Sequence, residues 1–165
     1  MSLDLVRIDN RLIHGQVLEA WVPFVHARRI VVVDDAAAKD PLQRSILELA
    51  TPRDIRLDVV SIDDAVAMFR SCAFDEGHCV VLFAGPCEAY AAYQRGFHFV
   101  NLNVGNVHFA TGKMRVSPSV CVDVDELHVL RELARAGVRV EVRAVPRESS
   151  KLITADGDAG ANPSA

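Results

Sequence analysis

Two uninterrupted apolar runs, Ile30-Val31-Val32-Val33 and Cys79-Val80-Val81-Leu82-Phe83-Ala84, restrict the folds open to this chain of 165 residues. Neither run alternates with polar residues, so neither suits a strand with one wet face. Each reads as a strand buried on both sides, as parallel sheets covered by helices require. Further strands are expected at 3–9, 55–60 and 97–104, and helix-period segments alternate with them at 15–26, 41–50, 61–70 and 86–95. Pro23 must kink or shorten the first helix. Asp40 and Pro41 suit the cap and first position of the second, with Leu42, Ile46, Leu49 and Ala50 on one side. Ser61 caps the third, with Asp64 three residues on, and Gly96 stops the fourth. The alternation breaks at 105–122, which holds turn signals and strand-like pieces and reads as a hairpin-like region. A helix at 125–136, ended by Gly137, leads to 138–145, where Val138, Val140, Val142 and Ala144 alternate with Arg139, Glu141 and Arg143. The expected fold is therefore single-domain α/β: an open, mainly parallel β-sheet with helices on both faces, plus the hairpin-like region and a C-terminal edge strand. Residues 1–146 form the domain. Residues 147–165, rich in Ser, Gly, Ala, Asp, Asn and Pro, are expected to be a disordered tail.

The balance of charge excludes several classes of function. Net charge is −4, and the densest basic pair, Arg28-Arg29, adjoins an apolar run, so no basic stripe for nucleic acid exists. No segment approaches the ~18–20 apolar residues that span a bilayer. The first residues lack a basic region followed by an apolar one, so a cytoplasmic location is expected. Cys72, Cys79, Cys87 and Cys121 form no C-x-x-C pair and are expected to be reduced. The six histidines do not complete zinc spacing with them, so no metal is expected.

Ligands of open α/β sheets sit outside the C-terminal ends of the strands. The first such end reads Arg7-Ile8-Asp9-Asn10-Arg11-Leu12-Ile13-His14-Gly15-Gln16-Val17. His14 precedes a glycine and a helix start, where backbone N–H groups and the helix dipole favour an anion such as phosphate. A neutral imidazole is a competent nucleophile near pH 7. Arg11 could stabilise a transferring phosphoryl group with a permanent planar charge, and Asp9 could orient the loop, the imidazole or Arg11. The other histidines are weaker candidates, His108 at the end of the fifth strand being intermediate. No G-x-G-x-x-G follows the first strand. Gly105 to Gly112-Lys113 has the wrong spacing for a phosphate loop, with Met114 where Ser or Thr belongs.

The segment 7–17 resembles the phosphorylation loop of the sorbose-subfamily IIB components of the sugar phosphotransferase system. The similarity extends through Trp21, Arg29–Asp35, Asn103–Lys113 and Val122–Glu126 into 138–145, covering about residues 3–146. The resemblance implies an enzyme, a phosphotransferase that accepts a phosphoryl group on a histidine from phospho-IIA and gives it to a sugar of the mannose/fructose/sorbose class. Uptake then proceeds through the membrane proteins IIC and IID. By motif position His14 is the phosphoacceptor, reacting through Nδ1, Arg11 stabilises the transferring group, and the Gly15 and Gln16 backbone cradles the phosphate. No soluble cofactor is implied, phosphoenolpyruvate being the ultimate donor, and any membrane association is peripheral, through IIC/IID. Three departures stand out. Asn10 occupies a position that is often Asp. Asn106 replaces a frequent second Gly, where its tolerance of positive φ is expected to preserve a turn. The segment after Pro146 lacks an apolar helix. Two other readings share the fold: a regulatory phosphohistidine protein of an incomplete system without transport, and a ligand-binding module without covalent chemistry. The strand at 138–145 could also pair with a second copy to give a homo-oligomer.

Overall fold

The computed structural model describes residues 3–74 and 78–158. Five parallel strands form early in the chain: β1 (Leu5–Asp9), β2 (Arg29–Val33), β3 (Arg56–Val60), β4 (Cys79–Phe83) and β5 (Asn101–Asn106). A small antiparallel pair, β6 (Met114–Ser117) and β7 (Val120–Val122), comes next, and then β8 (Arg139–Val142), β9 (Lys151–Thr154) and β10 (Gly157–Asp158). The main sheet has eight strands in the order β10-β9-β8-β5-β1-β4-β2-β3. All its neighbours are parallel except β8-β9 and β9-β10.

Successive residues of the central strands feed different cores, as the period of two demands. Val6, Ile8, Val31, Val33, Val81 and Phe83 join one cluster with α4 (Ile62–Arg70), α5 (Pro86–Gln94) and α6 (Val124–Arg135). Leu5, Ile30, Val32, Val80 and Leu82 join the other, with the helical segment after β1 and with α2 (Asp35–Lys39) and α3 (Pro41–Ala50). This two-sided burial is what the unbroken apolar runs encode.

The helix ends obey local chemistry. Asp40 accepts from the Leu42 and Gln43 amides, and Ser61 Oγ accepts from the Asp64 amide. Asp123 and Glu126 form a full capping box, which starts α6 one residue earlier than its periodicity suggests. Gly96 and Gly137 close α5 and α6 at φ of 108° and 93°.

The structure departs from expectation at several places. The segment after β1 is a π-helix, Gln16–Trp21, continuing into α1 (Val22–Phe24). The apolar side of α3 faces outward, with Leu42, Ile46 and Leu49 at 69%, 56% and 88% exposure, while Leu47 packs inward. The 138–145 strand is not the edge of the sheet, because β9 pairs with β8 on the side away from β5. Its alternation instead reflects one-sided cover: among the described residues, the second cluster takes nothing from β5, β8 or β9.

The expected disordered tail is likewise corrected over residues 147–158, and 159–165 lie outside the described residues. Lys151-Leu152-Ile153-Thr154 forms β9, with Ile153 buried opposite Val140. Ladder hydrogen bonds and one buried side chain offset the ordering cost that composition alone would not. Ile153→Ala is expected to cost about 2–4 kcal/mol, read as a lower denaturant midpoint at unchanged slope. A midpoint equal to wild type would show that β9 does not stabilise the domain.

Candidate active site

The connection leaving β1 runs to one face of the sheet, and those leaving its neighbours β4 and β5 run to the other. The crevice therefore opens at the C-terminal end of β1. Asp9 ends that strand. A turn closed by the Leu12 amide on the Asp9 carbonyl (2.9 Å) comes next, with Leu12 at φ 57°, and the chain then enters the π-helix. A left-handed leucine and a π-helix are both conformations that cost energy and concentrate at functional sites.

His14 is held from two sides. Its Nε2 lies 2.7 Å from Asp9 Oδ2, and its Nδ1 accepts the Gln16 amide at 3.3 Å. An ionised carboxylate can only accept, so Nε2 carries the proton and Nδ1 keeps its lone pair. The Nδ1 side faces the amide that opens the helical segment. Burial lowers the His14 pKa below its ordinary value; Asp9 acts in the opposite direction, and Arg11 and Arg7 add to the lowering. The ring is thus favoured in its neutral form at pH 7, the form in which an imidazole can act as a nucleophile.

Arg11 is about half exposed. It donates through Nη2 to Gln16 Oε1 at 3.0 Å, with Nε 3.5 Å from Asp9 Oδ1, and its own amide donates to that oxygen at 3.1 Å. A Cβ at Gly15 would meet nothing closer than Glu19 Oε1 at 3.9 Å, so packing does not require this glycine. The structure brings together all five expected residues, Asp9, Arg11, His14, Gly15 and Gln16.

A second layer carries no role in the sequence reading. Arg7 lies wholly buried beneath Asp9, donating to Asp9 Oδ2 at 2.8 Å and to Asn103 Oδ1 at 2.5 Å. The signal was a lone charge between apolar Val6 and Ile8, two residues from Asp9 and so on the same face. The β1–β5 register slips between Ile8 and Asp9, which makes Gly105 a bulge residue. On the rim, Asn10 binds the His108 ring at Nδ1 (2.7 Å), Asn106 Nδ2 and the Asn106 carbonyl, which ties the loop to the end of β5. Asn106 sits in β5 without positive φ, so the turn expected there does not exist. Lys113, discounted as a phosphate-loop lysine, pairs with Glu126.

A family model described as the PTS system sorbose subfamily IIB component matches residues 3–155. The chain belongs to this family. The sorbose-specific EIIB component of Klebsiella pneumoniae is 31% identical over 91% of this chain and 92% of that relative. The mannose-specific EIIAB component of Escherichia coli is 30% identical over 88% of this chain but 45% of the relative. Among solved structures, the IIBSor domain of the sorbose permease from Klebsiella pneumoniae superposes with a TM-score of 0.84, at 31% identity and covering 91% of this chain and 92% of that one. As a member, the protein is a IIB component of the phosphotransferase system and a phosphotransferase, passing a phosphoryl group from IIA toward a sugar. A purely regulatory role is not what these sugar-specific relatives favour. Among the described residues, no helix is long and apolar enough to cross a membrane.

Proposed function

We propose that His14 is the phosphoacceptor and reacts through Nδ1. The observation that carries this reading is the Asp9 contact on Nε2, which leaves the Nδ1 lone pair facing the start of the helical segment. Nδ1 attacks the phosphorus held on IIA, and the bond from phosphorus to its donor atom breaks as the P–N bond forms. No proton need leave the ring. The positive charge that develops on the imidazole is matched by Asp9 through Nε2–H. The Gln16 amide, with Gly15 beside it, turns from Nδ1 to a phosphoryl oxygen. Arg11, tethered by Gln16 and Asp9 but half exposed, neutralises charge on the equatorial oxygens. No soluble cofactor takes part.

The sugar receives the group while held by membrane IIC/IID proteins, so this chain works in the cytoplasm and meets the membrane peripherally. The fusion of a IIA and a IIB unit in the mannose-specific EIIAB relative's name supports IIA as the donor. The sugar class is that of the relatives, sorbose, fructose or mannose, and nucleic acid has no part in the reaction.

The test is phosphoryl transfer from labelled phosphoenolpyruvate through purified enzyme I, HPr and a cognate IIA. The expected product is an acid-labile, base-stable label on the peptide containing His14. No label on the folded protein, with a IIA shown to be charged, would favour the non-covalent binding module instead. Arg11→Ala is expected to slow transfer about 10²-fold, equivalent to ~2.7 kcal/mol of barrier, while leaving the fold intact. Unchanged rates in both directions would remove the role assigned to Arg11.

A further inference from the structure

A buried arginine needs a reason, because an apolar side chain of similar volume usually packs as well in its place. Arg7 and Asp9 are both wholly inaccessible, and Asn103 nearly so. The sheet makes specific room for the guanidinium: an ideal Cβ on Gly105 would fall 1.8 Å from its central carbon. The bulge at Gly105 is therefore matched to Arg7 and not to a turn. Asn103 fixes the fork from the other side, accepting from Nη1 while its own Nδ2 donates to the Arg143 carbonyl at 3.1 Å. Trp21 lies against the same group, with its ring centre 5.4 Å from the guanidinium carbon. Several elements of the structure thus converge on one cation whose acceptor, Asp9 Oδ2, is the atom that also holds His14.

We infer that Arg7 is a positioning residue for phosphoryl transfer, acting from beneath the site and through Asp9 to dictate which nitrogen of His14 keeps its proton. This rests on the reading of His14 as the phosphoacceptor. The physical reason is the orientation of Asp9 Oδ2, which accepts from Arg7 Nη2 at 2.8 Å and lies 2.7 Å from His14 Nε2. Arg7, itself pinned by Asn103, holds that oxygen toward the ring. Released from Arg7, the carboxylate can turn toward Arg11, whose Nε and amide lie 3.5 and 3.1 Å from Oδ1, and leave Nε2 without its acceptor. The ring proton can then settle on Nδ1, where it blocks attack. It never touches the phosphoryl group.

The test reads the tautomer of His14 directly, by ¹⁵N shifts of its ring nitrogens in the unphosphorylated protein, alongside kcat and KM for phospho-IIA. Wild type is expected to show the Nε2–H form. Arg7→Met is expected to populate Nδ1–H and to lower kcat about tenfold or more, the scale on which an oriented imidazole suffers from loss of an outer hydrogen-bond partner, with KM little changed. Arg7→Lys, which restores the charge, is expected to recover most of both. Should Arg7→Met not fold, Asn103→Ser loosens the fork without removing the charge, and a partial shift with a smaller kcat loss is expected. Wild-type tautomer and kcat in a folded Arg7→Met or Asn103→Ser overturns the inference. So does a kcat loss with an unchanged tautomer, which would leave Arg7 a merely structural residue. Absence of label on wild type would instead overturn the assignment of His14, since the tautomer is measured without phosphorylation.

Discussion

His14→Ala is expected to take up no phosphoryl group from charged IIA while folding as wild type does. The imidazole is partly exposed, and its two bonds go to Asp9 and the Gln16 amide, the residues that flank the loop. Asp9 Oδ2 keeps Arg7 as a partner when the ring is gone, so no buried charge is stranded. The variant also has a pH signature. The folded-state pKa of His14 lies below its ordinary 6.5, so the fold favours the neutral ring. The resulting stability is fully present above 6.5 and is lost as pH falls through the depressed folded value, because the unfolded chain takes up a proton that the native state resists. The variant lacks this loss. Its stability relative to wild type should therefore improve below pH 6.5, measured as denaturant midpoints at pH 7.5 and pH 5. Phosphoryl uptake by wild type should hold below pH 6.5 for the same reason, since Nδ1 stays unprotonated. Residual labelling of His14→Ala would place the acceptor elsewhere, and a stability difference that is flat with pH would contradict the lowered pKa.

Short-range rules set the features that were legible in the chain. Apolar runs at β2 and β4 announce strands buried on both faces, and Asp40 with Pro41, Ser61, Gly96 and Gly137 mark helix ends by local chemistry. The loop at the end of β1 was legible because a histidine, an arginine and a glycine lie within five residues of one another. Features that depend on distant partners were not. The strand at 139–142 alternates whether it lies at an edge or beneath a single layer of helices, and only β9 decides between the two. β9 itself is four residues in a polar stretch, too short to rise above its surroundings. The outward side of α3 has the same periodicity as an inward one. Arg7 and Gly105 are 98 residues apart, and each explains the other only once the sheet sets β1 beside β5.

Asp9→Asn should damage both stability and transfer, and for separable reasons. The carboxylate faces three donors: the Arg7 guanidinium and His14 Nε2–H on Oδ2, and the Arg11 amide on Oδ1. An asparagine has one accepting oxygen and one donating NH₂. With its oxygen toward Arg7 and His14, the NH₂ meets the Arg11 N–H. With its NH₂ toward them, it opposes the guanidinium and donates to Nε2, driving the His14 proton to Nδ1. Either way Arg7 loses its counter-charge in the interior, and breaking a buried pair in this manner costs about 3–5 kcal/mol. Transfer suffers more in the second orientation. Where an amide replaces a carboxylate that fixes a catalytic imidazole, the wrong tautomer lowers rates by about 10⁴, or ~5 kcal/mol of barrier. The measurement is single-turnover phosphoryl uptake from charged IIA under conditions where circular dichroism shows the variant folded. A rate within tenfold of wild type would mean that Asp9 does not choose the reacting nitrogen. A large loss of rate in a variant whose His14 remains Nε2–H would shift the role of Asp9 from tautomer selection to matching the positive charge on the phosphorylated ring.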